Sequence, residues 1–208
     1  MLTAPNLSEL HWLTHGFGQR DSVYPEPIRT VKQIHSGLVI GTDDKVTEAD
    51  GLVTQQPGLV VGVRTADCVP VLLADTRTRV VAAVHAGWRG SAVTIAATAV
   101  REMSARYGTR PEDVRAAIGP SIGPCCYEVG FDVAQQFHKW THTAHRKLDL
   151  PEINALQLAE AGVGNIWKAD VCTFCAEGYY SFRREKEKAG RMISFIGLPE
   201  NTSGGFPY

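Results

Sequence analysis

The first half of the chain alternates short apolar runs with turn residues, and this pattern predicts β-strands. Valine and leucine dominate these runs, and Gly, Asp, Thr or Pro bound them. The predicted strands are residues 28–34, 51–54, 59–64, 69–74 and 79–85. Residues 80–84 are apolar without interruption, which is typical of a strand that is buried on both faces.

The second half mixes helical periodicity with further strands. Apolar residues recur at helical spacing in 91–107 and 131–141, and a third helix begins near Pro151 and ends at Gly162. Residues 114–118, 165–169 and 192–198 are predicted to be strands. Because strands and helices do not alternate regularly, the order favours a mixed α+β fold over a doubly wound one.

Composition and charge indicate a globular protein and exclude a disordered chain. The 208 residues are 44% hydrophobic and 21% charged, which is typical of one globular domain, here taken as 1–208. Twenty-one basic and 22 acidic residues give a net charge of -1, so neither a nucleic acid nor a membrane surface is an expected partner. No membrane span or signal peptide is apparent, and five cysteines indicate reduced thiols and a cytoplasmic location.

His35, Cys68 and His85 are candidate metal ligands, since each lies where a predicted strand meets a loop. Two imidazoles and a thiolate suit zinc, and three protein ligands leave a fourth position for water or substrate. The same set would bind copper if a weak axial methionine joined it. The alternative is structural, with a buried cysteine and two hydrogen-bonded histidines.

The segment 85–91 is a candidate phosphate site. A predicted strand ends at His85, two glycines follow, and a helix is expected to begin near Ser91. A helix N-terminus attracts anions, and Arg89 would add a bidentate donor. A tight turn with a solvated arginine would explain the same residues. Later in the chain, Arg183 or Arg191 are further candidates for contacting phosphate.

Two aspartates precede candidate strands. Asp50 is interpreted as the cap of a turn. Asp67 adjoins Cys68, and because neighbouring residues of a strand point to opposite faces, we do not expect them to interact.

Four of the five cysteines lie outside the candidate metal site. Cys125 and Cys126 are adjacent, so we do not expect both to face one metal ion. Cys172 and Cys175 form a single Cys-x-x-Cys pair, which without a second pair favours packed thiols over structural zinc.

The sequence resembles the laccase-domain family, whose members carry the names polyphenol oxidase, peptidoglycan editing factor and purine nucleoside phosphorylase. The resemblance lies in residues 33–37, 49–54, 65–73, 85–90, 118–129, 172–173, 180–184 and 190–191, with 15–17 and Arg20 near the start. One departure is that only about a dozen residues separate Arg20 from Lys32, a stretch that is longer in other members.

The resemblance implies a layered α-β-β-α sandwich, similar to the catalytic domain of cytotoxic necrotizing factors. It implies one zinc ion bound by His35, Cys68 and His85. The implied activities are phosphorolysis of adenosine, inosine, guanosine and methylthioadenosine, and deamination of adenosine. The partners are then a nucleoside and phosphate, in a monomer or small homo-oligomer. We expect four arginines to bind substrate or phosphate: Arg20, Arg64, Arg89 and Arg183.

Three other functions remain open. Copper-dependent phenol oxidation is disfavoured, since the seven histidines include no His-x-His pair. Cys68 activated by His85 would instead make a hydrolase that edits peptidoglycan precursors. A non-enzymatic protein that binds a purine nucleotide in the same cleft would show ligand-dependent stabilisation without a product.

Overall fold

Two mixed β-sheets form the framework in the computed structural model, which describes residues 1–141 and 146–200. The four-stranded sheet has the order β1 (Thr14–Phe17), β10 (Met192–Gly197), β5 (Val60–Thr65) and β2 (Ile28–Arg29). The six-stranded sheet has the order β3 (Val39–Gly41), β4 (Gly51–Thr54), β7 (Val81–Ala86), β6 (Val69–Asp75), β8 (Val114–Ile118) and β9 (Asn165–Lys168). The pairs β2–β5, β3–β4 and β8–β9 are parallel, and the others are antiparallel.

Short helices connect and cover the sheets. They are α1 (Pro5–Ser8), α2 (Trp88–Ala92), α3 (Ile95–Tyr107), α4 (Phe131–Gln135), α5 (Leu150–Glu160) and α6 (Phe182–Glu185), with single 3-10 turns at Pro111–Asp113 and Lys186–Lys188. Within the described part of the chain, none of these helices has the length and hydropathy that crossing a bilayer requires.

Strands β4, β6 and β7 of the six-stranded sheet are buried on both faces, which explains their uninterrupted apolar runs. Alternate residues of β6 point in opposite directions. Leu72 packs between the sheets with Val61 and Val63 of β5. Val71 and its neighbours on the other face pack against α3 and α5, for example against Met103. The predicted mixed α+β fold is therefore confirmed, with two sheets face to face and the two long helices on the outer side of the larger sheet.

The strands predicted at 51–54, 59–64, 69–74, 79–85, 114–118, 165–169 and 192–198 are present within two residues of their expected ends, and so is the helix expected from Pro151. The strand predicted at 28–34 was wrong beyond Arg29. The amides of Ile34, His35 and Ser36 donate to the Asp50 carboxylate instead of to a neighbouring strand. Strands β1 and β3 were missed.

Two predicted helices are shorter or interrupted. The helix expected at 91–107 is divided into α2 and α3 at Thr94, whose φ of 58° is left-handed. Gln157 donates to the Ser91 carbonyl at 2.8 Å, a group that a continuous helix would pair with the amide of Ile95. The helix expected at 131–141 ends at Gln135, and tighter i to i−3 turns follow up to Trp140.

Candidate functional site

The structure brings His35, Cys68 and His85 together, although they come from three distant segments. His35 lies in the connection from β2 to β3, Cys68 precedes β6, and His85 lies in β7. Their potential ligand atoms all lie within 4.8 Å of one another. The two imidazole rings meet edge to face with centroids 4.8 Å apart. His85 is buried, Cys68 is half-buried and His35 is exposed, so the group opens to solvent on one side.

Asp50 joins two of these residues through one buried carboxylate. It accepts hydrogen bonds from the amides of Ser36 (2.6 Å), His35 (3.0 Å) and Ile34 (3.4 Å), and from the Ser36 hydroxyl (2.7 Å). These bonds hold His35 at a left-handed φ of 58°. The same carboxylate accepts the Nδ1–H of His85 at 2.8 Å. The interpretation of Asp50 as a turn cap was incomplete, because it also orients a histidine.

Hydrogen bonds among His35, Asp50, Cys68 and His85 shift the pKa values of Asp50, Cys68 and His85. Burial raises the pKa of Cys68, but hydrogen bonds from His35 and His85 outweigh this and lower it to about 6. Burial lowers the pKa of His85, whereas Asp50 and Cys68 raise it to about 9. Burial likewise raises the pKa of Asp50, and its bonds to His85 and Ser36 lower it to about 2. Cys68 is therefore a thiolate at neutral pH, the form that binds metals and attacks electrophiles.

Gly87 leaves room for the three side chains. A Cβ atom at this position would lie 3.2 Å from the Sγ of Cys68 and 3.3 Å from the Cδ2 of His35. Its φ of -68° suits any residue, so the requirement for glycine is one of space.

Gln33 fixes the loop that carries His35. Its side-chain amide donates to the carbonyl of Arg64 at 2.9 Å, and its carbonyl accepts from the amide of Arg64 at 2.7 Å. This pair of bonds ties the loop to β5, just before the segment that leads to Cys68. The sequence placed Gln33 in a familiar motif but gave no indication of this contact.

The three candidate ligands lie in the wall of a cavity of about 770 Å³. Positively charged side chains surround it: Lys32, Arg64, Arg183, Lys186 and Arg191. The three arginines were predicted from the sequence as phosphate contacts, and the two lysines were not. Ile122, Tyr127 and Phe182 contribute apolar wall. The cavity therefore combines a potential metal site, a cationic rim and aromatic surface.

Arg20 and Arg89 are not among the residues that line this cavity. Arg20 forms an ion pair with Glu185, and its guanidinium lies 4.4 Å from the centre of the Tyr180 ring. Arg89 is exposed and stacks on Trp88 at 4.4 Å. Their assignment as phosphate ligands stays a prediction.

Asp67 supports the part of the cavity wall that contains Phe182 and Arg183, a role that was not predicted from the sequence. Its carboxylate accepts hydrogen bonds from the hydroxyl of Thr173 (2.7 Å), the hydroxyl of Ser181 (3.1 Å) and the amide of Arg183 (2.6 Å). Its φ of 87° is left-handed. The Asp67 carboxylate thus anchors the segment that carries Phe182 and Arg183 and, as expected, is not a hydrogen-bond partner of Cys68.

The other four cysteines form a second group. The sulfur atoms of Cys125, Cys126, Cys172 and Cys175 lie within 4.8 Å of one another. The expectation that Cys125 and Cys126 cannot face one point was wrong, because the chain turns tightly there: the amides of Cys126 and Tyr127 both donate to the carbonyl of Gly123 at 3.0 Å.

Comparisons with known proteins agree with this architecture. The family described as "Multi-copper polyphenol oxidoreductase laccase" matches residues 17–199. A protein of Deinococcus radiodurans named purine nucleoside phosphorylase is 43% identical over 159 residues, which are 73% of this chain and 62% of that protein. The chain thus spans less than two thirds of the length of this curated relative. A protein of an unknown prokaryotic organism named adenosine deaminase RL5 is 39% identical over 162 residues, 71% of this chain and 61% of that protein.

Solved structures share the fold. The crystal structure of the hypothetical protein YfiH of Bacillus licheniformis matches with a TM-score of 0.81 and 29% identity, covering 90% of this chain and 94% of that one. Both kinds of comparison confirm the resemblance inferred from the motifs, and the chain belongs to the multi-copper polyphenol oxidoreductase laccase family.

Proposed function

We propose that this chain is a zinc-dependent purine nucleoside enzyme, which cleaves adenosine, inosine, guanosine or methylthioadenosine with phosphate and deaminates adenosine. The observation that carries the proposal is the convergence of His35, Cys68 and His85 in the wall of a cavity that has a cationic rim. The names of the two curated relatives, purine nucleoside phosphorylase and adenosine deaminase RL5, support the same chemistry.

The donor set suits zinc. Two imidazoles and a thiolate are borderline-soft ligands, and three protein ligands keep one position open. Asp50 fixes Nδ1 of His85 as the protonated nitrogen, so Nε2 is left as the donor toward the ion. When bound, zinc would supply Lewis-acid polarisation and a water of lowered pKa. No methionine is among the residues that line the cavity in the described chain, so the axial copper ligand lacks a candidate.

The cationic rim supports phosphate binding. Arg64 of β5 and Arg183 of α6 both line the cavity. Arg183 is held in place by two hydrogen bonds of 3.1 Å from its guanidinium to the carbonyl of Glu128. We propose that these arginines orient phosphate for attack on C1′ of the ribose, with Lys186 and Arg191 adding charge.

The aromatic wall supports binding of the purine. Phe182 is exposed at the rim, with the guanidinium of Arg191 5.9 Å from the centre of its ring, and we propose that this ring stacks on the base. Burial and the nearby Cys68 raise the pKa of Tyr127 to about 12, so its hydroxyl stays protonated at neutral pH. We propose that Tyr127 donates a hydrogen bond to the bound nucleoside.

The direct test incubates the zinc-loaded protein with adenosine, with and without phosphate. Phosphorolysis releases adenine and ribose 1-phosphate only when phosphate is present. Deamination yields ammonia in both mixtures, with inosine accumulating without phosphate and being cleaved further to hypoxanthine when phosphate is present. His35→Ala and Cys68→Ser should abolish both. If the zinc-loaded wild type forms none of these products, the proposal is wrong.

A second test addresses phosphate. Arg64→Gln should raise the KM for phosphate roughly tenfold while the KM for adenosine in deamination changes little. Arg29→Gln is the matched control. Arg29 is also an exposed arginine of the four-stranded sheet, but it is not among the residues that line the cavity. Equal effects of the two substitutions would argue against a phosphate site at Arg64.

One observation favours a second candidate function. Asp50, His85 and Cys68 form a carboxylate–imidazole–thiolate series, the arrangement of a cysteine hydrolase. Such an enzyme would edit peptidoglycan precursors without metal. Iodoacetamide separates the two: a metal-free Cys68 thiolate reacts quickly, whereas zinc protects it until a chelator is added. The cytoplasmic location, the oligomeric state and the extent of the domain over 1–208 remain predictions from the sequence.

A further inference from the structure

The cluster of four cysteines lies outside the cavity and is not used by the proposed reaction. Cys125 and Cys126 belong to the loop after β8, and Cys172 and Cys175 belong to the loop after β9. The Sγ of Cys175 lies 3.4 Å from that of Cys126 and 3.8 Å from that of Cys125. All four sulfur atoms fall within 4.8 Å of one another.

These separations match a tetrahedral metal site. With zinc–sulfur bonds of about 2.3 Å, neighbouring thiolates of a tetrahedron lie about 3.8 Å apart. A disulfide would require about 2.05 Å, which none of the measured pairs approaches. Packing of thiols in a core does not explain the cluster either, because Cys125 and Cys175 are exposed.

Backbone hydrogen bonds fix the loop that carries Cys172 and Cys175. The amide of Gly123 donates to the Sγ of Cys172 at 3.3 Å. The amide of Ala176 donates to the carbonyl of Cys172 at 3.0 Å and closes the turn that brings Cys175 back toward it. Ser121 and Cys172 form a parallel bridge, and the amide of Thr173 donates to the carbonyl of Ser121 at 2.9 Å.

We propose that Cys125, Cys126, Cys172 and Cys175 bind one zinc ion in a closed structural site, separate from the site of His35, Cys68 and His85. Four thiolates fill a tetrahedron and leave no position for substrate, which distinguishes structural from catalytic zinc. Soft sulfur donors in tetrahedral geometry select zinc or iron among the common metals, and zinc requires no redox partner.

The proposed site would connect two segments of the cavity wall. The loop with Cys125 and Cys126 also carries Ile122 and Tyr127, and the segment after Cys175 leads to Phe182 and Arg183. Zinc would therefore fix these two segments relative to each other while lying outside the reacting centre.

Metal analysis of the purified wild type and three variants tests the proposal. We expect two zinc ions per chain in the wild type. Cys125→Ser/Cys175→Ser and His35→Ala/Cys68→Ala should each retain one, and the fourfold variant none. The proposal would be overturned if the wild type held only one zinc ion and Cys125→Ser/Cys175→Ser still held it. Iron in place of zinc would also overturn the proposal.

Two measurements keep the proposal testable if the serine variant fails to fold. Cobalt bound to His35→Ala/Cys68→Ala should show the strong thiolate charge-transfer and tetrahedral ligand-field bands of a four-sulfur site, and weak octahedral bands would contradict it. Thiol titration of the wild type in denaturant with chelator should find all five cysteines reduced. A disulfide within the cluster would contradict the site. Because neither readout depends on turnover, failure of this proposal is distinguishable from failure of the proposed function.

Discussion

Asp50 and His85 form a hydrogen-bonded pair of 2.8 Å in which the side chains are 0% and 3% exposed, respectively. One carboxylate therefore determines both the orientation of a buried imidazole and the course of the loop that carries His35. A carboxylate behind a metal-binding histidine raises the basicity of the ligand and selects its tautomer.

Replacing Asp50 with Asn should weaken zinc binding at this site by about 10- to 100-fold, because the amide is uncharged and competes as a donor. Titration against a chromophoric chelator measures the change. Asp44→Asn is the control, since Asp44 also caps a turn, at Gly41, but pairs with Arg106 away from the site. Similar zinc affinity in wild type and Asp50→Asn would contradict the assigned role.

Gly87→Ala should disturb the ligand group by occupying space. The added Cβ would lie 3.2 Å from the Sγ of Cys68, so the thiolate must shift. We expect zinc affinity to fall roughly tenfold, equivalent to about 1.4 kcal/mol. Gly164→Ala provides the comparison, because a Cβ there meets nothing within 4 Å. If both variants bind zinc as the wild type does, the close approach has no functional consequence.

Gln33→Ala should release the loop of His35 from β5. The substitution removes two hydrogen bonds to the Arg64 backbone, each contributing about 1 kcal/mol. Zinc affinity at the site should drop several-fold, and the melting temperature should fall by several degrees. Gln55→Ala removes a comparable surface bond, to the carbonyl of Thr78, and should leave zinc affinity unchanged. An unaltered affinity in Gln33→Ala would show that the loop is held by Asp50 alone.

His15 should make stability depend on pH near neutrality. Burial lowers its pKa below the usual 6.5, and its Nε2 accepts the amide of Ala4 at 2.9 Å, a bond that requires this nitrogen to be unprotonated. Since the unfolded chain then binds the proton more readily, the stabilising contribution is complete above pH 6.5 and is lost as pH falls below it.

Urea unfolding of the chelator-treated protein at about pH 7.5 and about pH 5.5 measures this contribution. His15→Gln should lower the free energy of unfolding at about pH 7.5. It should also reduce the amount by which this free energy falls between about pH 7.5 and about pH 5.5. His11→Gln, at an exposed histidine, should retain the wild-type dependence. Parallel pH profiles for all three proteins would refute the assignment.

The sequence predicted most strands of the larger sheet because both faces are buried, and burial leaves uninterrupted runs such as 80–84. It also identified the three candidate ligands as residues at strand ends. It did not predict β1 or β3, each of which has four residues or fewer and lies near an edge, where local pattern is weak.

Local sequence patterns do not predict contacts between segments that are distant along the chain. The bonds from Asp67 to Thr173 and Ser181 join residues more than 100 positions apart. Likewise, the convergence of Cys125 and Cys126 with Cys172 depends on β8 and β9 lying side by side, which no spacing in the sequence specifies.

The chain passes from the smaller sheet to the larger one twice, between β2 and β3 and between β5 and β6. His35 lies in the first of these segments and Cys68 in the second, while His85 lies within the larger sheet. A newly made polypeptide therefore lacks an assembled three-residue ligand set until the sheets dock. Ion uptake at that position would report a late folding event, and a partly folded or truncated chain would be unable to acquire it.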